Sequence, residues 1–142
     1  MLVSEIKDLI KSLNIIDNVN YYCGTCDQKK EKSLGFYKED SGNREVNING
    51  YSLKINGKQI QILVHWNKNY DETEKAAFTI YNKLKEFNEY IIKNNGYEFN
   101  NYTIMLLDLI DNEPLDYQKD PITDTGVFQQ GIRFRILYTK ND

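Results

Sequence analysis

Proline is nearly missing from this chain, two residues in 142, Pro114 and Pro121, and histidine and tryptophan occur once each, as His65 and Trp66. A single imidazole cannot build a multi-histidine metal centre, and as a catalytic base it would need its partners from the fold. Cysteine is limited to Cys23 and Cys26, too few for a disulfide framework or a four-sulfur zinc site. There is no Gly-x-Ser-x-Gly, no phosphate-cradling glycine loop and no His-Glu-x-x-His. Long hydrophobic runs are missing too. In Met1 to Asp17 the apolar residues are interrupted by Glu5, Lys7, Asp8 and Lys11, so neither a signal peptide nor a membrane span is expected. An excess of positive charge is also lacking. Eighteen Lys and Arg stand against 21 Asp and Glu, a net charge of −3 without a basic stripe, which argues against direct nucleic-acid binding. The expected place of the chain is the cytoplasm, with both thiols reduced.

What is present is an ordinary globular balance, 40% hydrophobic and 27% charged, in a length that fits one core and a single domain over 1–142. Tyrosine is overused at 11 residues. Its ring brings contact area and its hydroxyl a polar tip, which suits surfaces that meet other proteins.

Val3, Ile6, Leu9, Ile10 and Leu13 recur at helical spacing and predict a first amphipathic helix with Ser4 as N-cap. Val19 to Gly24 and Ser33 to Tyr37 read as two strands in an antiparallel pair. Of the two Asn-Gly pairs, Asn49-Gly50 and Asn56-Gly57, the second is the stronger hairpin signal. It separates Tyr51–Ile55 from Lys58–Trp66, where Ile60, Ile62, Val64 and Trp66 alternate onto one face. Asp71 to Glu74 has the form of a capping box. A helix follows on Ala77, Ile80, Leu84, Phe87 and Ile91, with Asn95-Gly96 as its left-handed stop, although Tyr90 to Ile92 could instead begin a strand. Tyr102 to Ile110 reads as a buried strand, and Phe128, Ile132, Phe134, Ile136 and Tyr138 alternate along a closing one. The fold class is therefore α+β: a mainly antiparallel sheet with two helices packed on one face.

Three constellations could carry chemistry. Cys23-Gly24-Thr25-Cys26 has the spacing of a zinc knuckle or dithiol pair, but lacks further ligands and opens no helix, so two inert thiols at a strand end are the plainer reading. His65 alternates away from Val64 and Trp66 and is a base, a ligand or a partly exposed polar residue. Asp108, Asp111, Glu113, Asp116, Asp120 and Asp124 put six carboxylates into seventeen residues without the EF-hand spacing, which describes a solvated acidic loop. Such a loop could also meet a basic patch on a neighbour. Arg133 and Arg135, opposite Phe134 and Ile136 in the strand alternation, are the candidate patch. No catalytic residue, metal ligand or cofactor is assigned. The functional class is binding to other protein subunits.

Five segments stand out together: Tyr22-Cys23-Gly24, Lys32 to Tyr37, Ile62 to Lys68, Glu72 to Ala77, and Asp124 to Phe128 with Ile132 to Tyr138. In combination they resemble a minor capsid family of tailed phages of Gram-positive bacteria. The family is similar to tail terminators, small α+β proteins that ring the end of a tail tube. The resemblance implies a homo-oligomeric ring, a hexamer, whose faces bind the tail tube protein and the head connector protein. It implies assembly in the host cytoplasm, a final place in the virion neck or tail, and no catalysis. Asp108, Asp111, Asp116, Asp120, Asp124, Arg133 and Arg135 are then the expected subunit-interface residues. The competing expectation is a non-enzymatic adaptor or regulator that binds one soluble partner.

Overall fold

The computed structural model describes residues 1–24, 32–39, 46–48, 51–66, 70–117 and 128–141. Helix α1 spans Val3–Ser12 and buries Ile6, Leu9 and Ile10. It starts one residue before the expected cap. Ser4 lies in the first turn, and the Leu2 amide is satisfied by Glu5 Oε1 at 3.0 Å, a carboxylate that also complements the positive end of the helix. Helix α2 spans Tyr70–Lys93 and buries Ala77, Ile80, Leu84, Phe87 and Ile91, the stripe that its spacing predicts. Asp71 and Glu72 sit inside its first turn. Tyr90 to Ile92 remains helical. The helix ends on Asn95 at φ 57° and Gly96 at φ 126°, whose amide donates to Ile91 O at 2.9 Å. These left-handed residues satisfy a terminal carbonyl and turn the chain toward the sheet.

The strands are β1 (Asn20–Cys23), β2 (Lys32–Lys38), β3 (Val46–Ile48), β4 (Tyr51–Trp66), β5 (Tyr97–Phe99), β6 (Tyr102–Leu109), β7 (Leu115–Asp116) and β8 (Phe128–Lys140). Their order is β1-β2-β4-β8-β6-β5, with β3 on β4 and β7 on β8. The α+β class stands, but the sheet is mixed. β1 pairs with β2 in parallel, Asn20 beside Ser33 and Cys23 beside Phe36, not antiparallel as expected. Side-chain alternation specifies which face a strand buries and is blind to its direction. At roughly 3.3 Å per residue, the eight residues between Cys23 and Lys32 have length enough to return along a four-residue strand. The helices cover different strands: α2 lies on β6, β8 and β4, and α1 on β1 and β2.

Asn56-Gly57 is not a hairpin turn. Residues Tyr51–Trp66 form one continuous strand, and Asn56 and Gly57 stand in register with Tyr138 and Leu137 of β8. The strand reversal comes earlier, where Ile48 of β3 faces Tyr51 across Asn49-Gly50; those two residues themselves lie outside the described residues. A turn propensity of about 1 kcal/mol gives way to a ladder of eleven register pairs with β8. The Gly57 φ is not positive, and an added Cβ would meet only the Leu137 Cδ2 tip, at 3.1 Å. Gly57→Ala is therefore expected to change stability by less than about 1 kcal/mol. A loss well above that in the urea midpoint would restore the hairpin.

The core is built from alternate strand positions. Ile60, Ile62, Val64 and Trp66 of β4 and Ile132, Phe134, Ile136 and Tyr138 of β8 join Leu34 and Phe36 of β2 beneath the buried stripes of both helices. Each such side chain contributes roughly 1.5–3 kcal/mol when fully buried, so the central strands β4 and β8 anchor the molecule.

Candidate functional site

The face of β8 that points away from the helices carries Arg133 and Arg135. Antiparallel pairing with β6 sets Asp108 opposite Arg135, and two residues on, the Ile110 amide donates to Arg133 O at 3.0 Å. Asp111 is thereby delivered to Arg133. Arg133 grips it with two bonds, Nε to Oδ2 at 2.8 Å and Nη2 to Oδ1 at 2.7 Å, while Glu39 lies 3.9 Å from the same guanidinium. Arg135 and Asp108 approach only to 3.7 Å, and each side chain is 52% exposed. The expected acidic and basic elements thus pair first within one chain, because the acidic run begins on the strand adjacent to the arginines.

The Asp111–Arg133 fork has an electrostatic signature. The hydrogen bonds from Arg133 hold the Asp111 carboxyl below its ordinary value, and Asp111 raises Arg133 in return. A carboxyl lowered on folding contributes stability above its unfolded value of 3.8, and that contribution disappears as pH falls through the lower folded value. Arg133→Ala is expected to cost about 1–2 kcal/mol at pH 7, discounted because 36% of the Arg133 side chain is solvent-exposed. As pH falls through the folded Asp111 value the gap between wild type and variant should narrow, so a second measurement at acid pH should show a smaller cost. Urea unfolding at both pH values reads this directly, and an equal cost at both would show that the pair acts through packing alone.

The remaining expected residues disperse. Asp116 sits in β7, where Oδ1 accepts from Tyr70 Oη at 2.6 Å and from the Gln130 side-chain amide. Asp120 and Asp124 lie outside the described residues, as does Cys26. Cys23 is exposed at the end of β1. His65 is fully buried rather than partly exposed, with Nδ1 3.3 Å from the Gln129 amide nitrogen. Among the described residues no group of three or more His, Cys, Asp or Glu is placed to hold a metal ion. No helix among them is long and apolar enough to cross a membrane.

A feature not anticipated from the sequence is a cleft of about 340 Å³ between the first turns of α2 and strand β7. Phe78, Pro114 and Leu115 give it apolar surface, and Tyr70, Glu74, Glu113 and Asp116 surround that surface. Tyr70 and Leu115 are exposed, with Tyr117 beside β7 and Ile110 at the end of β6 exposed as well. None of the ion pairs among the described residues involves Glu74, Glu113 or Asp116. The hydrogen bond to Asp116 pushes the Tyr70 phenol up to about 12, so it keeps its proton at neutral pH. The cleft surface is mainly polar, and among the described residues its acidic rim has no ion-pair partner, which fits a cationic protein surface. A sequence signal for it existed: Phe78 is an aromatic residue one position off the buried stripe of α2.

No protein-family model matches the chain, and no curated protein is found to be similar to it.

Proposed function

We propose that this chain is a structural subunit of a phage tail, a tail terminator that rings the end of the tail tube and joins it to the head connector. The observation that carries the reading is the placement of the segments that resemble the phage minor capsid family. Their described residues fall mainly on β1, β2, β4, β8 and the start of α2, and the four strands are consecutive in the sheet. The resemblance therefore covers one contiguous half of the fold and not scattered surface pieces. The α+β architecture is compatible with the same reading. The partners are further copies of this chain in a homo-oligomeric ring, the tail tube protein and the head connector protein.

The cleft beside α2 favours a second reading, a non-enzymatic adaptor that seats one soluble partner there. Self-association separates the two, since a heterologous interface that closes makes a ring and an adaptor does not. Sedimentation of the purified chain, alone and with isolated tail tubes, is expected to show a ring or a tube-end complex, and labelled chain should mark one end of intact tails. A chain that stays monomeric in both settings and never marks a tail end would remove the terminator reading.

A further inference from the structure

A stretch of the central strand from Lys58, near the middle of β4, to Val64, near its end, carries at its two ends opposite charge with no ion-pair partner among the described residues. At one end lies the cleft: Gln130, in its lining, stands in register with Val64 near the end of β4. At the other end, Lys58 is buried beneath the amino-terminal segment and donates to Met1 O at 2.7 Å. Lys38 and Lys140 are near enough to act on this region electrostatically, and both are exposed. Burial first, and Lys38 second, lower the Lys58 ammonium from its ordinary value, opposed only by Glu5. None of the ion pairs among the described residues uses Lys38, Lys58 or Lys140. Above this basic end stands Leu2, 65% exposed, the most exposed large hydrophobic among the described residues. Lys58 and Val64 are six residues apart on one strand, about 20 Å at the rise of a strand.

We infer that a second copy of this chain places its Leu2 in the cleft between Tyr70, Phe78 and Leu115 and its Lys38 and Lys140 against Glu74 and Glu113, so that copies join head to tail. Two features select this occupant. Each surface supplies the charge that the other lacks among the described residues, a basic rim around Leu2 and an acidic rim around a mainly polar cleft to which Phe78 and Leu115 give apolar surface. A two-fold contact centred on either patch alone would set that patch against its own charge, which a head-to-tail contact between the two patches avoids. A head-to-tail contact leaves one free surface of each kind until the ring closes. The inference rests on the ring reading above and specifies the contact that builds the ring.

The test uses two charge-reversed chains and one apolar variant, all at exposed or half-exposed positions that leave the core intact. Chain one is Lys38→Glu with Lys140→Glu; chain two is Glu74→Lys with Glu113→Lys; the third is Leu2→Asp. By sedimentation velocity, wild type is expected to assemble, and each variant alone to lose assembly at concentrations at least tenfold higher. Chains one and two mixed equally should recover it, because every junction then joins an acidic to a basic surface. Wild-type assembly should also weaken with added salt. If wild type assembles and the variants assemble equally well, this contact is wrong and the ring reading survives. If the variants lose only tube binding while self-association persists, the occupant is the tube protein and the inference fails. If wild type assembles in no setting, the ring reading and this contact fall together.

Discussion

Phe134→Ala is expected to leave the protein at or past the edge of folding. Phe134 is fully buried near the middle of β8, in register with Ile60 of β4 on one side and Leu109 of β6 on the other. Removing a fully packed ring costs roughly 3–5 kcal/mol, the lost transfer energy plus an incompletely collapsed cavity. A domain of this size has only about 5–15 kcal/mol in total. Collapse is hindered here, because both neighbours of the ring belong to ladders that fix the backbone. The adjacent Arg135→Ala is the control: half exposed and 3.7 Å from Asp108, it should cost less than about 1 kcal/mol. Chemical denaturation of the two single variants decides the matter. A larger cost at Arg135 than at Phe134 would mean that the register of β8 is shifted by one residue.

That contrast is also the clearest case of what the sequence revealed. Alternation identified the buried sides of β4 and β8, and the three- and four-residue spacings identified the buried stripes of α1 and α2, because one face of each element is covered and a slip of one residue would expose it. Pairing partners are a different matter. Nothing in Val19 to Gly24 distinguishes a parallel from an antiparallel neighbour, and β1 took the parallel arrangement. Local turn chemistry misled at Asn56-Gly57, where pairing with Tyr138 and Leu137, eighty or more residues away, outweighed it. The short strands β5 and β7 carry too few residues for any period to be read.

The candidate site shows the same division. The acidic residues from Asp108 to Asp116 were visible as a run, but their function depends on which strand lies beside them. Because β6 adjoins β8, Asp111 and Asp108 turn to Arg133 and Arg135 of the same chain. The carboxylates without an ion-pair partner among the described residues, Glu74, Glu113 and Asp116, come from α2, a bend and β7. Their convergence depends on α2 packing across β6 and β8, and β8 begins 35 residues after the helix ends, at 128 against 93. The surface that best fits a partner was therefore assembled by topology, and no linear motif could announce it.

Gly96→Val is expected to loosen the joint that sets α2 against the sheet, and with it one wall of the cleft. Gly96 holds φ 126°, a conformation that residues with a side chain rarely adopt, and it closes α2 through its bond to Ile91 O. A Cβ there would come within 3.1 Å of Thr103 Cγ2 and in ordinary contact, 3.5 Å, with Ile104 O, so the backbone conformation and not the space carries most of the cost. Backbone strain of this kind costs about 1–3 kcal/mol, and the branched side chain adds its own crowding. Because Gly96 joins α2 to β5, the loss should appear in the whole cooperative transition. The neighbouring Asn95, at φ 57°, provides the contrast: Asn95→Gly should be close to neutral, since glycine enters the left-handed region at no steric cost. Urea midpoints for the two variants, with unchanged slopes, measure both effects. If Gly96→Val were as stable as wild type, the left-handed termination of α2 at this residue would be wrong, and the position of α2 over β6 and β8 would have to be determined by its buried stripe alone.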